Sequence, residues 1–233
     1  MIARGGVRGR ETGRALTRQR IVDAAVRIGD IESLDTLTIR RLATELGVGT
    51  MTLYSYFRSK DEILDAMADD VLGRIRLPQV DPGDPETLLV ACGMAFRDMM
   101  RTHPCVVRLL STRVNTSHAS LAGSMEGVLA LLRAAGLSER LTVQAYGLLI
   151  TYALGFSSYQ APRVWGHAGG EDGEDVEELR RRRRHFYAGL PADRFPTMVE
   201  LSGELTTLPS DDQFTRGLRL LARSLVAEMS STA

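Results

Sequence analysis

Cysteine is nearly absent: Cys92 and Cys105 are the only two among 233 residues. A pair set 13 positions apart in apolar surroundings gives neither a disulfide framework nor metal-ligand spacing, and it fits a reducing compartment. Long hydrophobic runs are missing as well. The longest stretch without charge, 141–162, has an apolar heart of 14 residues from Val143 to Phe156, broken by Gln144 and Thr151; a membrane span needs about 20. The N-terminal MIARGGVRGRETGR carries charge with no apolar segment after it, so it does not read as a secretory signal. A cytoplasmic protein without a membrane partner is expected. Catalytic signatures are missing too. Gly47, Gly49 and Thr52 form only a truncated glycine-rich loop with no strand before it, and there is no phosphate loop, no G-x-S-x-G and no H-E-x-x-H. His103, His118, His167 and His185 share no i, i+4 face, which speaks against a histidine metal site. No enzyme activity, no cofactor and no metal are expected.

What is present is the make-up of an ordinary globular protein, 44% hydrophobic and 25% charged. Lys+Arg and Asp+Glu both number 29, for a net charge of zero, but the balance is uneven. Residues 1–60 hold 11 basic and six acidic side chains, a net of +5, so the remainder carries −5. A basic quarter on an acidic body can present one face to a polyanion; a solvated basic tail is the plainer alternative.

Strand signals are also lacking, since apolar residues recur at three and four positions and hairpin dipeptides between alternating runs do not occur. The fold class expected is all-α. A first helix is predicted over 16–30, with Ile21, Ala24, Ala25 and Ile28 on one face. Thr38 is a good N-cap for a second helix over 39–46, and Gly47 a good C-cap. A third helix follows over 50–57, and a fourth opens at Ser59 or Lys60. The Pro, Gly and Asp residues of 78–85 mark a turn and the best boundary. Beyond it, helices are predicted over 85–102, 104–114, 117–135, 138–165, 195–206 and 211–229, with a Gly-rich loop at 167–173. Arg180 to Arg184 sweep about 400° around a helix, so no side of that turn can face a core, and a solvated helix laced with Glu177 and Glu178 is expected. The organisation read from this is a basic arm (1–14), a small N-terminal domain (15–77) and a larger helical domain (84–230).

Two short helices joined by a tight turn over 38–57 have the layout of a helix-turn-helix, whose second helix enters the major groove of DNA. Leu53 and Phe57 would dock that helix on the core with Leu46 and Val48. Thr50, Met51, Thr52, Tyr54, Ser55 and Tyr56 are left outward, an uncharged set suited to phosphate oxygens, base edges or a thymine methyl.

The string TIRRLATELGVGTMTLYSYFRSKDEIL is more specific than a pair of helices, and it resembles the N-terminal DNA-binding domain of the tetracycline-repressor (TetR) family of bacterial regulators. The likeness covers about 17–75 and includes TRQRIVDAAV in the first helix. It implies that Arg40 reaches a base edge and Thr38 a phosphate, that Thr50, Met51, Thr52 and Tyr54 meet bases or backbone, and that Tyr56 and Lys60 grip phosphates. The arginines from Arg4 to Arg20 would add non-specific attraction. The C-terminal DRFPTMVELSGEL and DDQFTRGLRLLARSLV look similar to the end of the tetracycline-repressor type of C-terminal domain. The family pairs its last long helices in a four-helix bundle, which puts Phe214, Leu218, Leu221 and Leu225, spaced by four, three and four, at a homodimer interface; the alternative is an intrachain core. The resemblance implies a homodimeric repressor that binds palindromic operator DNA and is released by a small hydrophobic effector; the alternatives are a ligand-independent DNA-binding protein and, more remotely, a helical small-molecule-binding protein or enzyme. Candidate effector contacts are Phe96, Met99, Met100, His103, Tyr146, Tyr152, Phe156, Tyr159 and Trp165, the richest aromatic and thioether surface of the chain, most of which would also serve as core.

Overall fold

The computed structural model describes residues 15–112, 121–160 and 176–232, and every regular element among them is helical. The arm over 1–14, the loop at 167–173 and Trp165 lie outside the described residues. The chain divides into two compact units, the first ending at Ile63 and the second beginning at Leu64.

In the first unit, α1 (Arg18–Ile31) starts where Thr17, in extended conformation, accepts a hydrogen bond from the Arg20 backbone N–H at 3.2 Å. Ile21, Ala24, Ala25 and Ile28 are fully buried, as their spacing predicts. The second helix, α2 (Ile39–Leu46), is capped by the Thr38 hydroxyl oxygen, which accepts from Arg41 N–H at 3.0 Å. It stops because Gly47 adopts φ 67°, a left-handed conformation that glycine enters without steric penalty. The reversal brings Gly47 N–H to the Thr44 carbonyl and Val48 N–H to that of Ala43, satisfying carbonyls the helix end would leave bare. The helix after this turn, α3 (Thr50–Tyr54), is shorter than the expected 50–57. It is held by Leu53 and Phe57, both buried. The division between units falls within α4 (Lys60–Gly73).

The second unit is built around α5 (Pro85–Thr102), which begins at Asp84 as N-cap and ends before Pro104, where α6 (Pro104–Thr112) takes over. A π-helical segment, Leu121–Glu126, leads into α7 (Gly127–Ala134); the sequence pattern had suggested one continuous helix. The long helices α8 (Glu139–Gln160) and α12 (Asp211–Thr232) both pack on α5. Between α5 and α12 the approach is close enough that a side chain at Gly93 would strike Leu218. Phe96, Met100, Leu149, Phe214, Leu218 and Ala222 are fully buried in this three-helix core. Between α8 and α12 lie α9 (Val176–Ala188), α10 (Pro196–Glu200) and α11 (Ser202–Leu205), which pack on one another. The expected helix over 195–206 is thus broken in two at Leu201. On α9 the arginine run is mostly exposed and Arg181 pairs with Glu178 at 2.8 Å, the solvated arrangement expected of it.

Candidate nucleic-acid interface and effector cavity

The reading face of the first unit is shaped by which polar groups the fold has already engaged. Arg41 is bound by two carboxylates, Glu32 at 2.5 Å and Glu45 at 2.9 Å, and Arg27 adds a contact to Glu45 at 3.3 Å. The hydrogen bonds that Arg41 donates to Glu32, then to Glu45, raise the Arg41 pKa, and the Arg41 hydrogen bond is the main reason Glu45 is lowered. This network fixes α2 to the end of α1. Arg40, its neighbour, is exposed and has no partner among the described residues. Thr50, Met51, Thr52 and Tyr54 are likewise exposed, with Met51 at 77% and Tyr54 at 46%.

Two expected phosphate contacts are modified by the fold. The Thr38 oxygen already accepts the cap bond from Arg41, which leaves its proton as the group a phosphate could use. Tyr56 is half-buried, and its hydroxyl donates to the Leu16 carbonyl at 2.9 Å, so its one proton is engaged within the fold. Lys60 is half-buried at the first residue of α4.

A residue counted in the sequence among the basic arm proves to be structural. Arg18 donates to the Tyr56 carbonyl and to Glu62 at 2.9 Å, and its guanidinium lies 4.0 Å over the Phe57 ring. Glu62 also accepts the Arg58 backbone N–H at 2.7 Å, and that bond, followed by the one from Arg18, holds its carboxyl below the ordinary range. Arg18 therefore locks the turn after α3 to the start of α1. Its place in the first turn of the first helix was visible in the sequence; its partners were not.

In the second unit the candidate effector residues fall into three groups. Tyr146 lines a cavity of about 200 Å3 with Leu72, Leu110, Leu121, Ser124, Met125, Ile150 and Leu154. Phe96 stands edge-to-face behind Tyr146 at 6.0 Å and is fully buried, as is Met100. Burial raises the pKa of the Tyr146 phenol. Met99 and His103 line a different cleft of about 660 Å3 with Arg74, Arg76, Met94 and Asp98. Tyr152 and Phe156 line neither of these. Tyr152 stacks on Phe214 at 5.0 Å and donates to the Phe214 carbonyl at 3.1 Å, while Phe156 meets the same ring edge-on at 5.2 Å. Tyr159 is 53% exposed on α8. That aromatic cluster serves Arg97, a buried cation 4.3 Å over Phe214 that pairs with Asp211 and donates to Gln160 at 2.8 Å. Burial lowers the Arg97 pKa, with Asp211 opposing. Of the cavity residues missed in the sequence, Ile150 and Leu154 carried a signal, since they follow Tyr146 at i+4 and i+8; Leu72 and Leu110 carried none beyond being apolar.

Three of the four residues of the predicted dimer seam are buried by their own chain. Phe214 and Leu218 are 0% exposed and Leu225 is 3% exposed, because this stripe of α12 packs on α5 and α8. Leu221 is half-buried. The large apolar residues that α8 and α12 leave outside are Val143, Leu148, Tyr159 and Leu220, the last 60% exposed.

Known proteins share both units. A family profile described as "Bacterial regulatory proteins, tetR family" matches residues 21–67, and one described as "Tetracyclin repressor-like, C-terminal domain" matches 77–227. The chain belongs to the TetR family. Like its relatives in that family it is a DNA-binding regulator of transcription and not an enzyme. The HTH-type transcriptional repressor DrrR1 of Streptomyces coeruleorubidus is 34% identical over 220 residues, 90% of this chain and 77% of that one. An HTH-type transcriptional regulator of Saccharopolyspora erythraea is 33% identical over 76% of each chain. Apo ActR of Streptomyces coelicolor superposes with a TM-score of 0.76 at 32% identity, covering 94% of this chain and 98% of that one. The ActR complex with actinorhodin gives a TM-score of 0.75, with 93% and 99% covered. Among the described residues, no helix of this TetR-family chain is long and apolar enough to cross a membrane.

Proposed function

We propose that this protein is a homodimeric cytoplasmic repressor that holds a two-fold operator and releases it when an apolar, aromatic small molecule enters the second unit. The observation that carries the DNA half is the set of uncommitted side chains on α2 and α3: Arg40, Thr50, Met51, Thr52 and Tyr54 face solvent while their neighbours are locked into the fold. DrrR1 is named a repressor, and ActR has been solved with actinorhodin and with (S)-DNPA.

The cavity bounded by Tyr146 supports the effector half. Its described wall is aliphatic, with one thioether, the Ser124 hydroxyl and the Tyr146 phenol, a lining that suits a hydrophobic molecule bearing one or two oxygen atoms. Leu72 of α4 belongs to that wall, and α4 also carries Lys60 at its start. A ligand that fits one position of α4 better than another shifts the DNA-binding equilibrium by its differential affinity, and by no more. Dimerisation is assigned to the outer faces of α8 and α12, where Val143, Leu148 and Leu220 would be covered.

Selection of bound genomic fragments should enrich one two-fold-symmetric site. A panel of planar aromatic compounds should contain members that weaken binding to that site and raise the melting temperature of the free protein, with both effects reduced in Leu154→Trp, which fills the cavity. Absence of any enriched fragment overturns the DNA-binding reading, and a panel without effect on either quantity overturns the effector reading.

A further inference from the structure

Two neighbouring residues of α4 serve different cavities. Leu72 belongs to the wall it shares with Tyr146, while Val71 lines the cleft of about 660 Å3 that also holds Met99 and His103. The two cavities have no described lining residue in common, and the whole described wall of the cleft lies in the second unit. Its volume is within the range of about 300–1,000 Å3 usual for small-molecule sites. The stripe of α5 that lines it, Ala91, Met94, Ala95, Asp98 and Thr102, is distinct from the stripe of Cys92, Phe96 and Met100, which is fully buried. Ala91 and Ala95 are too short to fill the space between α5 and the end of α4. Val71, Ile75, Met94 and Met99 make its surround apolar, with two unbranched thioethers that adapt to the shape of an occupant.

The charged groups around this apolar floor are separated by sign. Arg74 and Arg76 stand on the α4 side, where the chain leaves the helix. Arg74 pairs with Asp70 at 2.9 Å. Arg76 is exposed and forms no hydrogen bond or ion pair among the described residues. On the α5 side stand Asp98 and the C-terminal end of the helix at Thr102, whose carbonyls carry partial negative charge. An anionic group is therefore favoured at Arg76, whose guanidinium can give a carboxylate two parallel hydrogen bonds, and disfavoured at the α5 wall. A second negative charge on the same molecule would meet Asp98.

We propose that this cleft is a second ligand site, separate from the Tyr146 cavity, for an apolar molecule with a single carboxylate. Arg76 holds the charge, and the apolar body lies on Val71, Met94 and Met99. The site also has a regulatory consequence, which rests on the effector reading above. Val71 and Leu72 are consecutive in one helix, so a position of α4 that suits an occupant of the cleft changes the wall of the Tyr146 cavity. The two ligands are then coupled, and each changes the affinity of the other by the same factor.

The test is calorimetric titration of the full chain with three probes that share one ring system: naphthoate, the uncharged naphthalenemethanol and a naphthalenedicarboxylate. Naphthoate should bind more tightly than either of the others. Arg76→Gln should weaken naphthoate about fivefold, the upper end for an exposed ion pair, and leave naphthalenemethanol unchanged. Arg76 is exposed, so this variant should keep the helical circular dichroism of the wild type. Met94→Trp, which fills the cleft, should abolish naphthoate binding, whereas Leu154→Trp, which fills the Tyr146 cavity, should retain it. Saturating naphthoate should change the affinity of an effector found in the aromatic panel at least about twofold, and this change should vanish in Met94→Trp. Absence of naphthoate binding overturns the site, as does binding that survives Met94→Trp and is lost in Leu154→Trp. Naphthoate no tighter than naphthalenemethanol, or unweakened by Arg76→Gln, overturns the carboxylate assignment. An effector affinity indifferent to naphthoate overturns the coupling. A panel without any effector overturns the effector reading and the coupling together, while the naphthoate titrations still decide the site.

Discussion

Arg41 is bound by Glu32 and Glu45 while Arg40, about 100° further round the same helix, is bound by neither, and the two arginines have different consequences when removed. Arg40→Ala should lower discrimination between operator and random DNA by about 1–3 kcal/mol, measured by competition binding. Lys60→Gln should weaken all DNA sequences alike and reduce the slope of log affinity against log salt by about 0.9; a loss confined to the operator would mean that Lys60 reads a base. Glu62 gives a prediction in pH. Its carboxyl lies below the ordinary range in the folded state, through the Arg58 backbone bond and then Arg18. A depressed folded pKa stabilises above the unfolded pKa, about 4.3, and that contribution is lost as pH falls through the folded value. Chemical denaturation should therefore show wild type more stable than Glu62→Gln at pH 7, with the gap closing as the pH falls below about 4. A gap independent of pH would assign the effect to packing instead.

Among the helices, two glycines that look alike in sequence sit at very different contacts. A Cβ at Gly93 of α5 would approach Leu218 Cδ1 to 2.5 Å, and Leu218 is fully buried. A Cβ at Gly127, where the π-helical segment joins α7, would strike Leu77, which is only half-buried and can turn aside. Gly93→Ala should destabilise by about 1–3 kcal/mol through overpacking. At Gly127 the gain in helix propensity, about 1 kcal/mol, should offset the displacement of Leu77, for a near-neutral result in the same denaturation experiment. The elements most legible in the sequence were those closed by local chemistry: α2 from Thr38 to Gly47, and α5 from Asp84 to the residue before Pro104. Their caps are decided within four residues. Less legible was what each apolar stripe packs against. The spacing of Phe214, Leu218, Leu221 and Leu225 reports that one face of α12 is buried, and it is identical whether the covering surface is α5 of the same chain or a second copy. The aromatic set from Phe96 to Phe156 had the same ambiguity, and the fold divides it between a cavity wall, a cleft and the surroundings of Arg97. Arg18 was read as an arm cation because its partners are 38 and 44 residues away.

At the scale of the whole molecule, three of the four seam residues of α12 are buried within one chain, which leaves the opposite side of the helix as the surface expected to meet a two-fold partner. Leu220, 60% exposed, is on that side, where a charge would stay in contact with water. Leu220→Glu should therefore leave the monomer folded, with unchanged circular dichroism and a melting temperature no longer dependent on protein concentration, and should sediment at about half the wild-type mass. Leu218→Glu is the contrasting variant. It places a carboxylate in a fully buried position of α12 packed against α5, where removal from water without a partner is strongly unfavourable, and it should unfold the second unit instead of dissociating it. The consequence for DNA follows from linkage of two reading heads. A dimer that has bound one half-site meets the second at high local concentration, and losing that advantage lowers operator affinity by about 10²- to 10⁴-fold, while contacts within one half-site survive. Leu220→Glu should thus bind a full operator no more tightly than an isolated half-site. A Leu220→Glu protein that still sediments as a dimer would place the interface on another surface of the second unit.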